Sequence, residues 1–199
     1  MIKAILFDFG GVLVNPSTYI FRRAAREFNL DRAQLHELID KVVAKLEVGS
    51  PLKKEQKRLE DVVRHPIPLK TFLDVFVGEY RRHLKANINM AKFVRSLAKH
   101  YQVGVISNII TEHAAINRRH GLYKGFDVVA LSNELGIRKP NPAIYRYVMK
   151  RLKRKPEECV FTDDLPENVE SARQLDMHAF QFHNIIQLKR DLKELGVHF

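Results

Sequence analysis

The chain opens Met1-Ile2-Lys3-Ala4-Ile5-Leu6-Phe7-Asp8-Phe9-Gly10-Gly11-Val12-Leu13. The run from Ile2 to Phe7 is almost uniformly apolar, and it stops at an acid followed closely by two glycines. A strand buried on both faces of a parallel sheet has this composition. Four more short runs rich in apolar and β-branched residues follow: Gln102 to Ser107, Asp127 to Leu131, Cys159 to Thr162, and His178 to Phe182. Helical periodicity fills the spaces between them, at Met90 to His100, Glu112 to His120, Pro142 to Leu152 and Glu167 to Leu175.

Strand and helix alternating in this way predict an α/β fold with a doubly wound, Rossmann-like parallel sheet. The stretch from Pro16 to Ala86 breaks the alternation and shows helical stripes only. One stripe is Phe21, Ala24, Ala25 and Phe28, and a second is Leu35, Leu38, Ile39, Val42 and Leu46. A third is Phe72, Leu73, Phe76, Val77 and Tyr80. Helix packing, not a cofactor box, accounts for these stripes. Gly49-Ser50-Pro51 and Pro66-Ile67-Pro68 punctuate them. The expected organisation is an α/β core from residues 1–15 and 88–199, with a small helical insert at 16–87.

With 199 residues, 45% of them hydrophobic, the chain can bury a proper core without disulfides. Its single cysteine, Cys159, cannot form an internal bridge, and its place in an apolar strand suggests a buried thiol. Asp8 cuts the first apolar run too short for a signal peptide, and no stretch is long enough to span a bilayer. A cytoplasmic protein with no membrane partner is expected. The net charge of +11 attracts anions and brings nucleic acid into consideration. Basic and acidic residues alternate, however, as in Lys53-Lys54-Glu55-Gln56-Lys57-Arg58-Leu59-Glu60-Asp61, and a solvated helical face explains that pattern.

Ligands in open α/β sheets bind beyond the carboxyl ends of the strands. The strands here end in Asp8-Phe9-Gly10-Gly11, in Ser107-Asn108, and in Thr162-Asp163-Asp164, while Arg138-Lys139-Pro140 follows the third. Singly, each has a plain structural explanation as a turn, a helix cap or a solvated lysine. Together they place carboxylates, a hydroxyl, an amide and an ammonium at one edge. Crowded carboxylates repel, and a hard divalent cation such as Mg²⁺ relieves the repulsion. The hydroxyl and ammonium suit phosphoryl oxygens, and the whole set suits in-line phosphoryl transfer.

At this point the sequence resembles the haloacid dehalogenase superfamily, over essentially its whole length. Asp8-Phe9-Gly10-Gly11-Val12-Leu13 resembles the first of its four motifs, Ser107-Asn108 the second, and Lys139-Pro140-Asn141-Pro142 the third. Asp163-Asp164-Leu165-Pro166-Glu167-Asn168 resembles the fourth. The insert matches the helical cap of the subclass that carries it between motifs one and two. The resemblance implies an Mg²⁺-dependent hydrolase of small phosphorylated metabolites, with Asp8 as nucleophile and an aspartyl-phosphate intermediate. It implies that Ser107 and Lys139 hold phosphoryl oxygens with help from Asn108. It assigns Mg²⁺ to Asp8, the Gly10 carbonyl and Asp164, with Asp163 as a ligand or a second-shell partner, and substrate closure to the cap.

One position departs from the pattern. Most phosphatases of the family carry a second aspartate two residues after the nucleophile, as general acid and base, and here that residue is Gly10. General acid catalysis contributes about 10²- to 10⁴-fold, so either a cap residue or water supplies the proton, or the substrate has a good leaving group, or the protein is slow or inactive. Two rival readings follow. A 2-haloacid dehalogenase also lacks the second aspartate, but that branch needs no metal and lacks paired acids in motif four. A non-catalytic protein of the same fold, binding RNA or a protein partner through its positive charge, has no evident need for Asp8, Ser107, Lys139 and Asp164 together. The nine histidines lack zinc-site spacing and read as surface or packing residues.

Overall fold

The computed structural model describes residues 1–15 and 18–199; Pro16, where the insert was expected to begin, and Ser17 lie outside the described residues. Five parallel strands form one sheet: β1 (Ala4–Phe7), β2 (Gln102–Ser107), β3 (Val128–Leu131), β4 (Cys159–Asp163) and β5 (His178–Gln181). Their order is β3-β2-β1-β4-β5, so the chain builds outward from β1 in one direction and then crosses to its other side. That is the doubly wound arrangement expected, with strand ends shifted by at most two residues. The register sets Phe7 beside Val105 on one flank and Thr162 on the other. Asp8 therefore leaves the sheet at the switch point, next to the end of β4.

The period of two along β1 decides which helices lie where. Ile5 and Phe7 point into an apolar cluster with Phe93, Leu97, Leu188 and Leu192, on the helices Ile88–Leu97 and Ile185–Glu194. Ala4 and Leu6 point the other way, to Ile144, Tyr145, Val148, Val169 and Ala172 on the helices Pro142–Leu152 and Pro166–Arg173. Cys159 is buried in β4, and its burial pushes the thiol pKa up to about 12, so it stays an unreactive thiol.

Between β1 and β2 the described residues are helical: α1 (Thr18–Glu27), α2 (residues 32–46), α3 (Leu52–Val63) and α4 (residues 69–83). They share a separate apolar cluster that includes Ala24, Leu38, Leu46, Leu59, Phe72 and Tyr80, joined by Ile110 and Ile116 from the β2 side. Two of these helices widen to π geometry, α2 at Leu38–Val43 and α4 at Asp74–Gly78. A π turn slips the side-chain phase, so a stripe read at a 3.6-residue period does not stay on one face. Leu73, expected with Phe72 in the packed face, lies before the π segment and is exposed, while Phe72, Phe76 and Tyr80 are buried. The alternating charged helix α3 is mostly solvated, but Glu55 is buried against the Ser50 hydroxyl at 2.5 Å and Arg58.

A buried polar chain ties this helical unit to the sheet domain. Tyr80 on α4 donates to Asn117 Oδ1 at 2.9 Å, and Asn117 Nδ2 donates to the Tyr123 hydroxyl at 3.0 Å. Beside it His113 stacks on Tyr80, its ring 3.7 Å away, and meets the Phe76 carbonyl at 2.6 Å. Burial lowers the His113 pKa to about 4, so the ring is neutral at pH 7. Asn117→Ala would leave two buried hydroxyls without their partner and is expected to destabilise the protein by about 2–4 kcal/mol in urea unfolding.

Candidate active site

Asp8 and Asp163 stand at the carboxyl ends of the adjacent strands β1 and β4, and one lysine joins them. Lys139 Nζ donates to Asp8 Oδ1 at 2.5 Å and to Asp163 Oδ2 at 2.5 Å, and its side chain is 1% exposed. Burial alone would strip the lysine of its proton, but the attraction of Asp8 and Asp163 outweighs burial and raises its pKa. Asp164 completes an acidic group: one carboxylate oxygen each from Asp8, Asp163 and Asp164 lie within 4.8 Å of one another. Asp164 reaches in over Gly11, whose φ is +84°, and a Cβ on Gly11 would sit 2.4 Å from Asp164 Oδ2. Glycine suits the positive φ there, and a side chain in its place would displace the Asp164 carboxylate.

The three carboxylates are not equivalent. Asp163 is saturated by protein donors. Its Oδ1 accepts from the Leu165 amide at 2.9 Å and from Asn168 Nδ2 at 3.0 Å, and its Oδ2 takes Lys139 and Asn168 at 2.5 and 3.1 Å. Asp8 has one oxygen on Lys139. No side-chain hydrogen bond engages the Asp164 carboxylate among the described residues. Burial raises the pKa of Asp8 and of Asp164, and the neighbouring acids add to it, with Lys139 opposing. Hard oxygen donors crowded around a single lysine leave excess negative charge, and that donor set fits a magnesium-sized divalent cation.

Lys139 is itself held from below. Asn108 Nδ2 donates to the Lys139 carbonyl at 2.9 Å, and the Lys139 amide donates back to Asn108 Oδ1 at 2.8 Å. Both polar atoms of Asn108 are therefore spent on aiming the lysine. The next residue is fixed too, since the Ser171 hydroxyl donates to the Pro140 carbonyl at 2.5 Å.

A cavity of about 260 Å³ opens over this group. Asp8, Gly10, Asn108, Lys139, Asp163 and Asp164 line it; Ser107, buried at the last position of β2, is the one expected site residue that does not. Its other wall comes from the helical unit, as Thr18, Phe21, Ile39, Val43 and Glu47. Phe21 and Ile39 thus serve the cavity wall, where their stripes read as packing. Sequence reasoning also missed Glu47, Arg138 and Asn168. Asn168 had a signal, since it falls five residues after Asp163 on the first turns of a helix. Glu47 had none, because its placement depends on how α2 ends.

The model of a hydrolase family, the haloacid dehalogenase-like hydrolases, matches residues 2–176. The chain belongs to that family. Drimenol cyclase drtB of Aspergillus calidoustus is 40% identical over 70 residues, which are 35% of this chain and only 13% of that protein. The D-ribitol-5-phosphate phosphatase of Bacteroides thetaiotaomicron is 26% identical over 206 residues, covering 96% of this chain and 97% of the relative. Among solved structures, the HAD family enzyme bt-2542 of Bacteroides thetaiotaomicron, in complex with magnesium and inorganic phosphate, superposes with a TM-score of 0.75. It is 20% identical, and the superposition covers 94% of this chain and 99% of that one. This last likeness shows that the hydrolase shares the fold.

Native Asp8 binds its proton more tightly than the unfolded chain, whose carboxyl titrates near 3.8. Above that pH the unfolded state loses its proton first, so this group makes stability fall as pH rises. In EDTA, Asp8→Asn is expected to remove most of that slope. Urea midpoints measured from pH 3 to pH 8 should show the variant gaining on the wild type only at the upper end.

Proposed function

We propose that this hydrolase is an Mg²⁺-dependent phosphatase that cleaves a small phosphomonoester through an aspartyl-phosphate on Asp8. The observation that carries the reading is the group at the ends of β1 and β4, with three carboxylates around one buried lysine at the floor of a small cavity. The full-length similarity to a sugar-alcohol phosphatase supports the same chemistry. In this reading residues 1–15 and 88–199 form the catalytic core, and 16–87 form a cap that contributes the organic side of the pocket.

Asp8 attacks phosphorus with its carboxylate, and water later releases phosphate from the acyl phosphate. Lys139 holds phosphoryl oxygens, already aimed by Asp163 from one side and by Asn108 beneath it, while Ser107, buried outside the lining, is given no contact with the substrate. Asp8, the Gly10 carbonyl and Asp164 would hold Mg²⁺, and Asp163, its oxygens already engaged, supports the lysine and Asn168. The bound cation would neutralise the carboxylates and stabilise charge on the transferring group. Phe21, Ile39 and Val43 give the leaving group an apolar wall that excludes water. A cavity of about 260 Å³ favours a metabolite of a few carbons over a macromolecule.

The dehalogenase reading is weaker on one observation. A reaction that needs no metal has no use for an additional carboxylate at Asp164, which no other side chain engages among the described residues. Phosphate release from a panel of sugar phosphates, nucleotides and acyl phosphates should require Mg²⁺, stop in EDTA, and fall by at least about 10³-fold in Asp8→Asn. Halide release from 2-haloacids that is indifferent to EDTA would establish the rival instead. Asp164→Asn should raise the Mg²⁺ concentration for half-maximal activity by roughly tenfold or more.

A further inference from the structure

Gly10 leaves the reaction without a proton donor on the core side, and the structure shows that packing does not demand the glycine. A Cβ on Gly10 would meet nothing within 4 Å. The cavity's titratable groups can be taken in turn. Asp8 is the nucleophile, Asp163 is saturated, Asp164 is left for the metal, Lys139 is committed to two carboxylates, and Arg138 is a guanidinium donor, not a carboxyl acid. Glu47 remains.

Glu47 follows the last turn of α2. Two residues on, Gly49 has φ +91°, and a Cβ there would lie 2.7 Å from the Asn133 carbonyl oxygen of the core. That close approach seats the end of α2 on the core and brings Glu47 beside Arg138. Glu47 Oε2 is shielded from solvent and forms an ion pair with Arg138, whose Nε lies 2.9 Å away. This ion pair between the helical unit and the core fixes the Glu47 carboxyl at the cavity wall. The charged groups facing Glu47 are Arg138 and Lys139; burial nevertheless holds its carboxyl above the usual range.

On the phosphatase reading above, we propose that Glu47 is the general acid and base that Gly10 cannot be. As Asp8 forms its bond to phosphorus, the bond from phosphorus to the leaving oxygen breaks with its electron pair. The Glu47 carboxyl gives its proton to that oxygen, releasing an alcohol. In the second half Glu47, now a carboxylate, takes a proton from the water that attacks the aspartyl-phosphate, and the acid is restored. The proton thus comes from the cap, so turnover is coupled to the cap being seated.

The test compares p-nitrophenyl phosphate, whose leaving group departs as a stable anion, with phenyl phosphate, which needs more help. Glu47→Gln should slow phenyl phosphate by roughly 10²-fold and p-nitrophenyl phosphate by less than about tenfold. Arg138→Gln breaks the same cap–core contact but keeps the acid, and should slow both esters by a similar factor. Adding Gly10→Asp to Glu47→Gln should recover the phenyl phosphate rate. An equal fall on both esters in Glu47→Gln, or the same leaving-group dependence in Arg138→Gln, would overturn the proposal. If the wild type hydrolyses neither ester with Mg²⁺, the phosphatase reading itself fails. Asp8-dependent turnover without a leaving-group effect sinks Glu47 alone.

Discussion

A single ammonium group at 2.5 Å from two carboxylates on neighbouring strands organises the rest of this molecule. Each pair of charges at the spacing of this acidic group, within 4.8 Å, repels by about 3–4 kcal/mol at an effective dielectric of 20. Lys139 offsets part of that repulsion and leaves the rest unbalanced, which gives a cation site its driving force. Nearly every other feature of the core side serves this arrangement. Parallel pairing sets Asp8 and Asp163 side by side, Asn108 grips the Lys139 backbone, Asn168 fills out Asp163, and Gly11 makes room for Asp164.

The helical unit answers a different need. A charged floor works best when water is excluded, because hydrogen bonds and charges then act in a low dielectric. Phe21, Ile39 and Val43 supply the dry wall, and the Tyr80–Asn117–Tyr123 chain keeps the far end of the unit fastened to the core. The end of α2 is held in another way, through the close approach at Gly49 and the Glu47–Arg138 contact. Binding at the floor and seating of the cap therefore meet at one point, the Glu47 carboxyl.

The core was legible in the sequence because it obeys simple periods. Buried parallel strands are apolar throughout, so β1, β2 and β4 stand out, and Asp8, Ser107 and Asp163 mark where they stop. Asp8, Gly10, Lys139, Asp163 and Asp164 line one cavity. Asn108 meets it too but spends both polar atoms on the Lys139 backbone, and buried Ser107 stands outside the lining. The cap was legible only as helices. Two members of its stripes leave the packed face, Ile39 turning to the cavity and Leu73 to solvent. Glu47 was invisible because its role depends on a backbone contact between Gly49 and Asn133, far apart in the chain, which no local pattern encodes.

The central claim is that Asp8 carries the phosphoryl group. It is tested most directly by quenching the enzyme during turnover with Mg²⁺ and a hydrolysed phosphoester, reducing with borohydride, and sequencing the peptides by mass spectrometry. Borohydride converts an acyl phosphate to an alcohol, so the account predicts homoserine at position 8, formed only when substrate and Mg²⁺ are both present. Continued turnover with Asp8 unmodified, or with another carboxylate reduced in its place, would contradict it.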